Sequence, residues 1–248
     1  MDRAVHRGAW LVMGSNWPAK TESSTTDKAK WLAPAWHTAL LVLLIVSVAI
    51  VDTWLGKDAM PALAPDGHRN KIATVYAPMM VTQWGLFFYV TRVARSQNAL
   101  PYLLGRWRSP VVHVALAAGI WFFVECAEIG YGRLFGSTGT DVARAVLPVT
   151  PAERLTWVAV SISAGFCEEV VYRGYIQAQL LLSTGSIALA LVAQALLFGV
   201  AHTDQGVAAA ARFAAYGFAF GAVAFARRSL IPCILAHVGI DLTSGLLG

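Results

Sequence analysis

Apolar runs approaching the ~20 residues that cross a bilayer recur at about 38–56, 73–92, 110–130, 155–182, 186–203, 207–226 and 230–247. The pattern predicts an all-α polytopic transmembrane helix bundle of about seven spans, the last three close to the lower length limit. Between the runs, Gly, Pro, Ser and charged residues mark joints at 56–71, 91–110, 132–154, 183–186 and 227–229. The stretch 141–147 has a weak one-sided apolar pattern and reads as an ordinary loop rather than an interfacial helix. No internal repeat is evident.

Composition narrows the class. Of 248 residues, 57% are hydrophobic and 13% charged, and the mean hydropathy is +0.57. A soluble domain carries roughly 25% charged residues. Nine tryptophans suit a chain with many membrane interfaces. The net charge of +5 is spread over the gaps between apolar runs and forms no single basic patch, so no nucleic-acid partner is expected. The predicted partners are the lipid bilayer and a peptide or membrane-protein substrate.

The organisation reads as a retained polar N-terminal tail (1–36), N-terminal transmembrane helices (37–150) and a C-terminal transmembrane core (151–248). The tail has a short apolar stretch at Ala9–Met13 but lacks a signal-peptide h-region and cleavage site. With the N-terminus inside, the inner segments hold eleven Lys and Arg and the outer ones six, which favours that orientation in a multi-pass cell-membrane protein. Cys126, Cys167 and Cys233 lie in apolar runs without paired spacing and read as packing residues. His37, His68 and His113 lie at span ends or in loops and read as solvated or interfacial.

Three polar insertions interrupt the last four runs: Glu168-Glu169-x-x-x-Arg173, Phe198-x-x-x-His202 and His237-x-x-x-Asp241. A charged side chain at the bilayer centre costs on the order of 2.5–3.5 kcal/mol on insertion scales, so such a cluster points to function. At i, i+4 spacing Glu169 and Arg173 share a helix face, while Glu168 is rotated roughly 100° away and left for other work. Glu168 and His202 fall at similar heights, about 21 and 24 Å from the ends of their runs. His237 lies only about 11 Å from the start of its run, so it reaches them if the turn 227–232 is recessed into the bundle or the helix tilted.

Together these groups contain what hydrolysis of an amide by water requires: a carboxylate base, a histidine to share or orient the proton, and groups aimed at the oxyanion. The candidate catalytic residues are Glu168, Glu169, Arg173, His202, His237 and Asp241. Glu168, His202 and His237 could equally ligate a divalent metal such as Zn2+, whereas a glutamate mechanism requires no cofactor. The sequence leaves both routes open. Glu125 and Glu128, one turn apart in the third run, stay outside the candidate set.

The three motifs, in this order on successive late helices, resemble those of the CPBP intramembrane proteases, the CAAX proteases and bacteriocin-processing enzymes also called the ABI family. The resemblance covers about residues 155–247. It implies an intramembrane endopeptidase, a hydrolase often classed as a metalloprotease, in which Glu168 activates water with help from His202. It also implies that His237 and Asp241 sit at the substrate carbonyl while Glu169 and Arg173 shape the site. Prenyl-protein members carry asparagine where Asp241 stands. An ionised Asp241 would repel an oxyanion, so it must be protonated, orient His237 or bind a metal. A non-proteolytic membrane scaffold or bacteriocin-immunity protein is the alternative, and a transporter is less favoured because repeat symmetry is missing.

Overall fold

The computed structural model describes residues 32–63, 70–94, 109–136 and 141–247. Most of the predicted polar tail and His68 lie outside the described residues. Every element that is described is helical: α1 (Ala35–Leu63), α2 (Ala77–Val93, preceded by a π-helical turn Ile72–Tyr76), α3 (Pro110–Phe135), α4 (Asp141–Val146), α5 (Pro151–Glu169), α6 (Gln177–Thr184), α7 (Ile187–Val200), α8 (Val207–Arg227) and α9 (Ile231–Leu246). A π-helical segment, Val170–Ile176, joins α5 to α6 without a break.

Helices occupy all seven apolar runs, but four stretches among the described residues are long and apolar enough to cross a membrane: Ala35–Trp54, Pro110–Leu134, Pro151–Thr184 and Val207–Arg227. The chain is an integral membrane protein. The count of about seven does not carry over in full. At ~1.5 Å per residue α7 and α9 are about 21 and 24 Å long, short of the ~30 Å hydrocarbon core.

Local chemistry sets the ends of the helices that matter. Thr150 and Glu153 form a reciprocal capping box at the start of α5, with Pro151 in the first turn where its missing N–H costs nothing. Gly185 closes α6 in the left-handed region (φ 70°), and the Ser186 hydroxyl accepts from the Leu189 N–H to open α7. The 141–147 stretch departs from the expected loop and forms α4. Tyr76 Oη donates to the Val146 carbonyl (2.8 Å) and Lys71 Nζ to that of Leu147 (2.9 Å), so the carbonyls ending this short helix are satisfied.

One buried cluster ties the two halves together, from Leu41, Phe87 and Val124 on α1–α3 to Cys167, Tyr175 and Phe220. Helix α9 packs along α5 at glycine height. A Cβ at Gly165 would lie 2.6 Å from Val238 Cγ2, and one at Gly245 would collide with the Trp157 indole. Helix α8 meets α7 the same way, since a Cβ at Gly199 would lie 2.5 Å from the Ala210 carbonyl oxygen. The joint before α9 is covered by protein, with Ser229 and Leu230 0% exposed. Cys167 and Cys233 are buried, but Cys126 is exposed on α3, because its helix turns that face outward. His113, expected at an interface, is buried.

Candidate active site

The two glutamates end the α-helical part of α5 and point to different surroundings. Glu169 is fully buried, and its Oε1 accepts from Arg173 Nη1 at 2.9 Å. The pairing survives although Arg173 lies in the π-helical segment, a departure from regular helix often found at functional sites. Glu168 keeps 23% of its side chain exposed.

Arg173 is 1% exposed, and its guanidinium carbon lies 4.3 Å from the centroid of the Phe198 ring and 5.5 Å from that of Phe220. Phe198, the first residue of the second polar motif, therefore covers the cation that neutralises Glu169. A charge pair this deep is tolerated only with good geometry and close cover.

His237 Nδ1 donates to Glu169 Oε1 at 3.0 Å, so one carboxylate oxygen receives both the arginine and the histidine. This bond assigns the Nδ1 proton and turns the other nitrogen toward the partly open side. There His237 Nε2 lies 3.9 Å from Glu168 Oε2 and 3.8 Å from Asp241 Oδ2, both too long for a direct hydrogen bond. Trp157 Nε1 donates to the Asp241 backbone carbonyl at 2.8 Å, fixing the register of α9 against α5.

His202 sits apart. Its Nδ1 donates to the Phe198 carbonyl at 2.7 Å, and its ring stacks on Phe213 with centroids 4.0 Å apart. No hydrogen bond or ion pair joins it to Glu168, His237 or Asp241. Both histidine rings nevertheless pack against Phe198, with centroids at 4.7 and 6.2 Å. Asp204, in the 3-10 turn that follows, has its carboxyl pushed up by burial against the opposing pull of His202.

Among the described residues no group of three or more His, Cys, Asp and Glu side chains is placed to hold a metal ion. The candidate metal set Glu168, His202 and His237 does not form such a group, because His202 is turned into its own helix end and onto Phe213. That set of three therefore does not fit a bound Zn2+.

Several contacts of the site were not singled out in the sequence. Gln83 Nε2 donates to Glu168 Oε1 at 3.2 Å, Trp84 Nε1 donates to Ser163 Oγ at 3.1 Å, and Phe213 stacks on His202. A glutamine inside the 73–92 run was the available signal. Glu125 and Glu128 face other partners. Glu125 accepts from Thr243 Oγ1 at 3.1 Å, and Glu128 accepts from Arg212 Nε at 3.2 Å and from the Tyr216 hydroxyl.

Residues 150–243 match the family model of Rce1-like proteins, described as type II CAAX prenyl endopeptidase Rce1-like. Over that region, which carries all three polar motifs, the chain is similar to CAAX prenyl endopeptidases. No curated protein and no solved structure matches the chain.

Proposed function

We propose that the chain hydrolyses a peptide bond in a membrane-associated or lipid-anchored peptide or protein, using water activated at Glu168. The observation that carries this reading is the gap around His237 Nε2, with carboxylate oxygens of Glu168 and Asp241 at 3.9 and 3.8 Å. Each separation is too long for a direct bond and suits one oxygen atom lying between the groups. In the proposed reaction Glu168 Oε2 takes a proton from water as the oxygen attacks the carbonyl carbon. The same proton passes to the amide nitrogen as the C–N bond breaks.

Glu169 and Arg173 hold His237 from behind, so that Nε2 faces the developing oxyanion and donates to it when protonated. Asp241 accepts from His237 or, protonated, donates to the same oxygen. His202, with its Nδ1 proton already committed to Phe198, offers Nε2 to the substrate from the same aromatic wall. The histidine nearest Glu168 in this scheme is His237 rather than the His202 implied by the family resemblance. The proposed location is the cell membrane, and the distribution of basic residues favours an N-terminus inside.

The matched family's description makes a prenylated C-terminal peptide the first substrate to try. In liposomes containing the purified chain, a farnesylated peptide is expected to be cleaved with kcat/KM about tenfold or more above its unprenylated form. Mass spectrometry of both products and an added chelator complete the assay. Equal cleavage of both forms would remove the lipid from the recognition element, and complete loss on chelation would overturn the metal-free route.

A further inference from the structure

Among the described residues that precede the family match, one side chain reaches the charged centre directly. Gln83 on α2 is 7% exposed, and its one hydrogen bond is the 3.2 Å donation from Nε2 to Glu168 Oε1. The amide carbonyl Oε1 is buried without a hydrogen-bond partner. A buried amide that leaves its own acceptor unpaired costs stability, so packing alone is a poor reason for a glutamine there.

Its neighbours hold α2 at one height against α5. One residue along, Trp84 Nε1 reaches Ser163 Oγ, and one turn along Phe87 meets Phe166 with centroids 5.3 Å apart. These contacts bring the amide to Glu168 at a fixed position. The two oxygens of Glu168 then differ: Oε1 takes the amide proton, and Oε2 is the one 3.9 Å from His237 Nε2.

We infer that Gln83 is a positioning residue for the reaction: it anchors Glu168 Oε1 and thereby selects Oε2 as the atom that takes the proton from water. The inference rests on the water-activation reading above and deepens it. The amide donates to the carboxylate without adding charge, so the base stays aimed. A glutamate at this position would set like charges side by side, and a leucine would leave the carboxylate free to rotate.

The test combines two readouts on the full chain in detergent micelles. Kinetics with the lipidated peptide compare wild type, Gln83→Leu and Gln83→Glu. Nitrogen-15 side-chain amide spectra of glutamine-labelled protein compare wild type with Glu168→Gln, the Gln83 signal being identified by its loss in Gln83→Leu. Gln83→Leu is expected to lower kcat about tenfold or more with KM within about twofold, since a small misplacement of a reacting group costs up to ~100-fold. Gln83→Glu is expected to fall further, and the Gln83 amide signal is expected to move in Glu168→Gln. Wild-type kcat in Gln83→Leu, a loss carried by KM, or an amide signal indifferent to Glu168→Gln would overturn the inference. Undiminished cleavage by Glu168→Gln would instead defeat the water-activation reading, with the amide signal still reporting on the contact.

Discussion

In the most apolar stretch of Ala35–Trp54 on α1, 17% of residues are buried, against 61% in Pro151–Thr184, which carries both glutamates. Trp36, Leu43, Ile50 and Trp54 are exposed on α1, whereas the whole π-helical segment Val170–Ile176 is buried. Both helices qualify as spans by length and composition. The first turns apolar side chains outward, where lipid is as good a neighbour as protein. The second carries the charges and is wrapped by other helices, so one oxygen of each glutamate is bonded by protein groups: Glu169 Oε1 by Arg173 and His237, and Glu168 Oε1 by Gln83. A charged cluster in an apolar chain thus marks the helix at the centre of the bundle, not a weak span.

If that contrast holds, substitutions should fall into two groups. His237→Ala removes the group facing Glu168 and Asp241 and is expected to cost about 10²–10⁴-fold in kcat, measured with the lipidated peptide. Activity near wild type would leave the gap around Nε2 without a role. Arg173→Leu strands Glu169 as a buried charge, and a loss of about 3–5 kcal/mol in denaturant unfolding is expected. A neutral result would mean that Glu169 is neutralised another way.

Smaller effects sharpen the same comparison. Gly165→Ala pushes a methyl into Val238 and is expected to destabilise by about 1–3 kcal/mol by separating α9 from α5. Gly85→Ala on α2 and Gly119→Ala on α3 meet nothing within 4 Å and should be neutral or stabilising by up to ~1 kcal/mol, since alanine favours the helix. Equal losses at all three glycines would erase the distinction between the enclosed helix and the outward-facing ones.

Much of this arrangement was legible before the structure. Glu169 and Arg173 stand one helical turn apart, and a pair of that spacing is readable from the chain alone. The motifs around Phe198, His202, His237 and Asp241 stood out because polar groups are costly in apolar runs. Other features depend on information that local pattern does not hold. The π-helical turn after Glu169 follows from packing on several sides, and the burial of Ser229 and Leu230 depends on where α9 docks. His202 pairs with its own helix end because α7 stops at Val200, so the chain turns there instead of carrying the ring toward Glu168. Gln83 lies 85 positions from its partner, and one amide in an apolar run names no partner. Of the seven apolar runs, four among the described residues are long and apolar enough to cross a membrane, because hydropathy registers apolar helices such as α7 and α9 without registering that they are short.

The central claim is that Glu168 activates the attacking water, and Glu168→Gln tests it with almost no change in shape. Reconstituted wild type and variant should be compared for kcat on one lipidated peptide, with the unfolding midpoint of each measured in the same detergent. A fall of about 10²–10⁴-fold at an unchanged midpoint is the predicted result. Cleavage by Glu168→Gln at the wild-type rate would contradict the account.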